Sequence, residues 1–168
     1  MENNQKKQNY TKAAPALRKG DEKFMKDALR CARLAARKGE VPIGAVIVRD
    51  GKVIARGYNR RESGRDALLH AEIIAIRRAC KKMDGWRLSG CDLYVTLEPC
   101  PMCAGAIINA RIENVFYGAP DPKSGSMGSV INMTDLPYNF KPYVHVGMME
   151  SECAVILKDF FKKLRTKV

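Results

Sequence analysis

Histidine is scarce in this chain. Two occur in 168 residues, His70 and His145, so chemistry that needs an imidazole has only two places to be. Long apolar runs are missing as well. None approaches the ~18 residues of a membrane-crossing helix, and a membrane partner is not expected. The first twenty residues, MENNQKKQNYTKAAPALRKG, carry charge without the apolar stretch of a secretory signal. A cytoplasmic location is therefore the expectation. No internal repeat is visible. The sequence is expected to form a flexible basic tail over residues 1–20 and one domain over residues 21–168.

Hydrophobic residues make up 46% of the chain, enough to bury one core. Charge is strongly one-sided. Lys and Arg number 30 against 18 Asp and Glu, for a formal net charge of +12. Basic residues gather in the first 38 positions and again from Lys158 to Lys167. A plain basic surface is one reading. The other is a polyanionic partner, because such a field steers phosphates toward the protein.

Apolar periodicity gives the order of elements. Met25, Ala28, Leu29, Ala32, Ala35 and Ala36 recur at helical spacing, with Asp21 as candidate N-cap and Gly39 as stop. VPIGAVIVR and KVIARGY, joined by Asp50-Gly51, predict a β-hairpin. NRRESGRDALL reads as a loop, whose end at Ala67–Leu69 already approaches the next element. HAEIIAIRRACKKM predicts a helix with Ile73, Ile76, Cys80 and Met83 on one face. A strand (DLYVTL), a small-residue helix (PMCAGAIINA) and a strand (NVFYG) follow. A long turn-rich loop then leads to a short strand (YVHVG). The final helix has Cys153, Ile156, Leu157, Phe160, Phe161 and Leu164 in register for a core. The order α-β-β-α-β-α-β-β-α implies crossover connections and some parallel pairing. An α/β/α layered domain is the expected fold.

Six cysteines could form three disulfides. Cys31, Cys80 and Cys153 lie on apolar helical stripes, where a reduced cysteine serves as a small hydrophobe. Cys100 and Cys103 differ, in the run TLEPCPMCAGA. The residue before a proline is pushed out of the α region, so Cys100 belongs outside the helix as its N-cap. Pro101 suits the first helical position, and Cys103 falls in the first turn. Both sulfurs then sit at a helix N-terminus, which favours thiolate. Two sulfurs on one tetrahedral zinc lie about 3.8 Å apart, a distance a C-x-x-C turn can meet.

His70 is the obvious third ligand, since His145 alternates within a strand and reads as structural or surface. A structural zinc needs a fourth protein ligand. Cys91 is the candidate, but it stands at the far end of a strand from Cys100, about 17–20 Å away. The fourth position is expected to be open, as in catalytic zinc sites. Glu72, two residues after His70, can serve as a base beside the metal without binding it. Alone, Glu72 would be an ordinary first-turn acid. A thioredoxin-like redox pair and a purely structural metal site are the rival readings of the two cysteines.

His70-Ala71-Glu72, followed 26 residues later by Pro99-Cys100-Pro101-Met102-Cys103, carries the signature of zinc-dependent nucleobase deaminases. Further runs extend the match: GEVPIGAVIV, GYNR, WRLSGCDLYVTLEPCPMCAGAIINARI, VFYGAPDPKSGSMGS and ECAVILKDFFKKLR. Over about residues 21–165 the chain resembles the bacterial tRNA-specific adenosine deaminase family, of the cytidine deaminase-like superfamily. The resemblance implies a mixed five-stranded sheet between helices, and a homodimer. It implies one Zn²⁺ per subunit on His70, Cys100 and Cys103, with Glu72 as proton shuttle and a zinc-bound water as nucleophile. The implied reaction converts the wobble adenosine of an arginine tRNA anticodon to inosine, so the implied partner is a tRNA anticodon stem-loop. Asn59 matches the family's contact to the flipped adenine. Ile43 and the backbone around Ala71 should line the base pocket, and Asp121 belongs to a loop that touches anticodon nucleotides.

The chain departs from the family pattern in two places. Leu68-Leu69 replaces smaller residues before His70, where the leucines either pack in the core or reshape the pocket rim. Pro120 replaces a charged residue before Asp121 and removes an N–H donor. A deaminase of free bases or nucleosides shares the zinc motif and is the nearer alternative. A non-catalytic zinc-stabilised RNA-binding module is the more distant one, and it would have no use for Glu72.

Overall fold

The computed structural model describes residues 21–166, so the expected tail over residues 1–20 lies outside the described residues. The elements run α1 (Glu22–Arg37), β1 (Gly44–Arg49), β2 (Lys52–Tyr58), α2 (Arg61–Gly64), α3 (Ala71–Lys82), β3 (Cys91–Leu97), α4 (Pro101–Ala110), β4 (Asn114–Ala119), β5 (Tyr143–Val146) and α5 (Glu150–Arg165). A short 3-10 turn, Met133–Asp135, interrupts the long loop before β5.

The five strands form one mixed sheet in the order β2-β1-β3-β4-β5. β1 is antiparallel to β2 and to β3, whereas β3, β4 and β5 pair in parallel. β2, β3, β4 and β5 therefore point the same way. Their C-terminal ends share one rim of the sheet with the start of β1. Open α/β sheets place their ligands at that rim.

Side chains alternate across the strands, so each face buries its own set. Ala45, Ile47, Leu93, Val95, Val115 and Tyr117 pack with α3 and α4. Val46, Val48, Tyr94 and Phe116 pack with α1 and the start of α5. Tyr94 and Phe116 stack with centroids 4.4 Å apart, and Phe116 stacks in turn on His145 at 4.2 Å. His145 also shares a 3.3 Å hydrogen bond with Asn114, which matches its structural reading. The three-layer α/β/α fold and the five-stranded sheet are as expected. In the hairpin, Asp50 (φ 49°) and Gly51 (φ 70°) both take left-handed backbone, the twist-matched form of a two-residue turn.

Four local expectations change. Asp21 does occupy the N-cap of α1, but its side chain makes no capping bond. In α3 the buried face is Ala71, Ile74, Ala75, Ile76 and Ala79, while Ile73, Cys80 and Met83 are only partly buried. The cause is close packing. A Cβ on Gly57 of β2 would stand 2.0 Å from the Ala71 carbonyl oxygen. The helix thus lies almost on the strand, and only small residues fit between them. The segment before α3 holds a one-turn helix, α2, and Ala67–Leu69 stays outside any helix.

The fourth change concerns α5. Cys153 is its only buried residue; Phe160 is half-buried, and Phe161 and Leu164 are 41% and 46% exposed. Only the beginning of α5 lies on the sheet, so an apolar stripe along the whole helix outruns the core that could receive it. Among the described residues no helix is long and apolar enough to cross a membrane.

Candidate metal centre and active site

Two helix N-termini meet at the strand-end rim. His70 is the N-cap of α3 and Cys100 the N-cap of α4, both with extended backbone at φ −72°. Pro101 holds the first position of α4, and Cys103 lies one turn in. The geometry expected of the proline-flanked turn is the geometry present. His70 Nδ1 is 3.6 Å from Cys100 Sγ and 3.6 Å from Cys103 Sγ. The three ligand atoms lie within 4.8 Å of one another, and among the described residues they form the only such cluster of three. A tetrahedral zinc, with Zn–S of about 2.3 Å and Zn–N of about 2.0–2.1 Å, would hold N and S about 3.6 Å apart. The donors present therefore fit zinc in both type and spacing. Cys91 is remote from them; its Sγ lies 3.7 Å from Met83 Sδ at the other end of β3.

The three ligands and Glu72 shift one another's protons. Cys100 is held down to about 4, first by a hydrogen bond from Cys103 and then, against burial, by His70. Cys103 moves up for the complementary reason: the shared hydrogen bond and burial keep its proton in place. The hydrogen bond to Cys100 raises His70, against the opposing effect of burial. Glu72 is 3% exposed. Burial pushes its carboxyl up to about 7, although a hydrogen bond with the Cys103 thiol and the charge of His70 pull the other way. An acid raised to that range can both take and give a proton near neutral pH.

Residues 19–165 match the MafB19-like deaminase family. The chain belongs to that family. It is 49% identical over 148 residues to the tRNA-specific adenosine deaminase of Bacillus subtilis strain 168, a match covering 88% of this chain and 92% of that one. A solved structure from a study of A-to-I editing by tRNA:A34 deaminases at the wobble position superposes with a TM-score of 0.79. It is 51% identical and covers 80% of this chain and 99% of its own. The guanine deaminase of Bacillus subtilis is 35% identical, with a TM-score of 0.57 over 70% of this chain and 86% of that chain. The cytidine deaminase-like deaminases, to which this MafB19-like chain is joined by fold, are zinc-dependent.

Asn59, 3% exposed, follows β2, and its backbone N–H donates to the Ile43 carbonyl at 3.0 Å. Asn59 and Ile43 are thereby brought together. Ala71, fully buried, sits between His70 and Glu72. Asp121 is not part of the cluster. Its carboxylate accepts from its own loop, from the Lys123 N–H at 3.0 Å and the Ser124 hydroxyl at 2.6 Å. Neither Leu68 nor Leu69 is a core residue: Leu68 is 57% exposed and Leu69 is half-buried.

Two glutamates that the sequence reading passed over shape this MafB19-like site. Glu40, 1% exposed, accepts from the backbone N–H groups of Ser63 (2.7 Å) and Glu62 (3.2 Å) and from Asn59 Nδ2 (3.5 Å). Burial alone would raise its carboxyl, but these bonds outweigh burial and lower it. Glu98, 2% exposed, gathers the long loop. It accepts from the N–H groups of Asp121, Met127 and Ser129, each at 3.0 Å, and from the Ser129 hydroxyl. Again the bonds outweigh burial and lower the carboxyl. The signal for both was an acid set directly against an apolar run and a nearby proline, in GEVP and TLEPC.

Proposed function

We propose that this protein is a zinc-dependent hydrolase that converts adenosine to inosine at the wobble position of a tRNA anticodon, an arginine tRNA by resemblance. The observation that carries the chemistry is the equal 3.6 Å spacing of His70 Nδ1 from two sulfurs, with the buried Glu72 carboxyl beside them. The substrate assignment is supported by the relatives, which are named tRNA-specific adenosine deaminases at 43–51% identity.

His70, Cys100 and Cys103 would hold the metal. When bound, zinc supplies a Lewis acid that makes water a nucleophile near neutral pH. Glu72 accepts a proton from the attacking water and passes it to ring N1 as the new C–O bond forms at C6. The same carboxyl then relays the proton of the new C6 hydroxyl to the amino group, the C–N bond breaks as the C6 carbonyl forms, and ammonia leaves. Water and adenosine thus yield inosine and ammonia. Asn59, Ile43 and Ala71 receive the flipped base, and the Asp121 loop meets its neighbours. A single-stranded anticodon loop suits this pocket, because its bases leave the stack at little cost. This reading takes the enzyme as a homodimer acting on its tRNA in the cytoplasm.

A free-base or nucleoside substrate is the second reading, favoured by the likeness to guanine deaminase. The test incubates zinc-loaded protein separately with an arginine tRNA, free adenosine and guanine, and measures inosine and ammonia. Inosine in the tRNA alone supports the first reading. Ammonia from adenosine or guanine, with unmodified tRNA, supports the second. No product from any substrate removes both and leaves a binding module.

A further inference from the structure

A cleft of about 290 Å³ opens along α3, between that helix and the segment leading into it. Its lining is Arg60, Leu69, Ile74, Arg77, Arg78 and Lys81. Four of the six are cations and none is an acid. Leu69 and Ile74 provide an apolar floor, and Leu69, at one end of the cleft, is joined directly to His70.

The wall of the cleft is firmly built. The Arg60 N–H donates to the Leu69 carbonyl at 3.0 Å and closes the neck of the 60–69 segment. Glu40 holds the turn inside that neck through the Glu62 and Ser63 N–H groups. Arg78 is partly engaged, its Nη1 donating to the Arg56 carbonyl at 2.8 Å. Arg77 and Lys81 are exposed and have no ion-pair partner among the described residues. Several cations gathered without an acid repel one another, and a bound anion relieves that repulsion.

We propose that this cleft holds the phosphodiester backbone of the RNA next to the flipped nucleotide. A phosphate meets Arg60, Arg77 and Lys81, and its ribose lies on Leu69 and Ile74. The cleft volume suits one backbone unit and is far too small for a folded partner. The proposal rests on the tRNA reading, and names a contact that positions the strand without reading its sequence. Arg77 and Lys81 are therefore positioning residues, whose loss weakens the hold on RNA and leaves the chemical step alone.

The experiment uses the full zinc-loaded chain and an anticodon stem-loop of an arginine tRNA. Wild type is compared with Arg77→Glu/Lys81→Glu and with the milder Arg77→Gln/Lys81→Gln. Fluorescence anisotropy gives Kd across a salt series, and inosine formation gives KM and kcat. The expected result is a rise in Kd and KM on the order of tenfold for the charge-reversed pair, with kcat unchanged. The slope of log Kd against log salt should flatten by about 1.4–1.8 for the two lost contacts. Equal Kd and equal slopes in all three proteins overturn the proposal, as does a fall in kcat at constant KM. Inorganic phosphate that displaces RNA beyond a chloride control of matched ionic strength identifies a free-anion site, which also overturns it. A wild type that binds RNA through the cleft but makes no inosine sinks the wobble reading while the cleft assignment stands.

Discussion

The Glu98 carboxylate, two residues before Cys100, accepts the backbone N–H of Asp121 at 3.0 Å. One side chain therefore ties the metal-ligand turn after β3 to the loop after β4. Gly125 makes room for it: a Cβ there would lie 2.3 Å from Glu98 Oε2.

Glu98→Gln should destabilise the protein by about 1–3 kcal/mol, because the amide would turn a donor toward N–H groups that need an acceptor. The pH dependence follows from the sign of the shift. Hydrogen bonds hold the folded carboxyl below its ordinary value of 4.5. The stability it contributes is then present in full above that value and is lost as pH falls through the folded one. Denaturant melts of wild type and variant should differ by a constant above pH 4.5, and the gap should close in more acid solution. A gap that widens there would contradict the assignment.

Glu72→Ala should abolish inosine formation, a loss of at least about 10²–10⁴-fold in kcat, while zinc content stays at one per chain. Metal analysis and single-turnover kinetics on the same sample check both halves. Turnover retained by the variant would remove Glu72 from proton transfer.

Cys100→Ser or His70→Ala should lose zinc and activity together. Chelator-stripped wild type should be alkylated by iodoacetamide at Cys100 ahead of Cys91 and Cys153, since its thiol is held down to about 4 while burial pushes theirs up to about 11 and about 12. Zinc should protect Cys100. Mass spectrometry of the labelled peptides reads the order directly.

Gly57→Ala tests the close approach of α3 to β2. A methyl group has no room against the Ala71 carbonyl, and the backbone cannot yield without moving the N-terminus of the helix. We expect a loss of about 1–3 kcal/mol, with weaker zinc binding because His70 caps that helix. A metal titration beside the thermal melt separates this variant from one that loses stability alone.

The His70, Cys100 and Cys103 cluster was legible because its parts are local. A proline after Cys100 dictates backbone shape within a residue or two, and His70-Ala71-Glu72 needs only a helix start. The strand order was partly legible, through the alternation of strands and helices. What could not be read were relations between distant segments. Glu40 and Glu98 are ordinary acids until the fold sets the N–H groups of residues 62–63 and 121–129 around them. The α3 face was misjudged because the largest apolar side chains drew attention, whereas contact with Gly57 favours the smallest. The α5 stripe is regular in sequence, but periodicity says nothing about how far the sheet beneath it extends.

The β1–β2 turn lies at the rim opposite the metal ligands. Asp50 and Gly51 are exposed, and a Cβ built on Gly51 meets nothing within 4 Å. Foreign chain inserted between these two residues would project away from the metal ligands. The hairpin tip is thus the natural attachment point for a tether, a dye or a fused protein that must leave the reaction centre unobstructed.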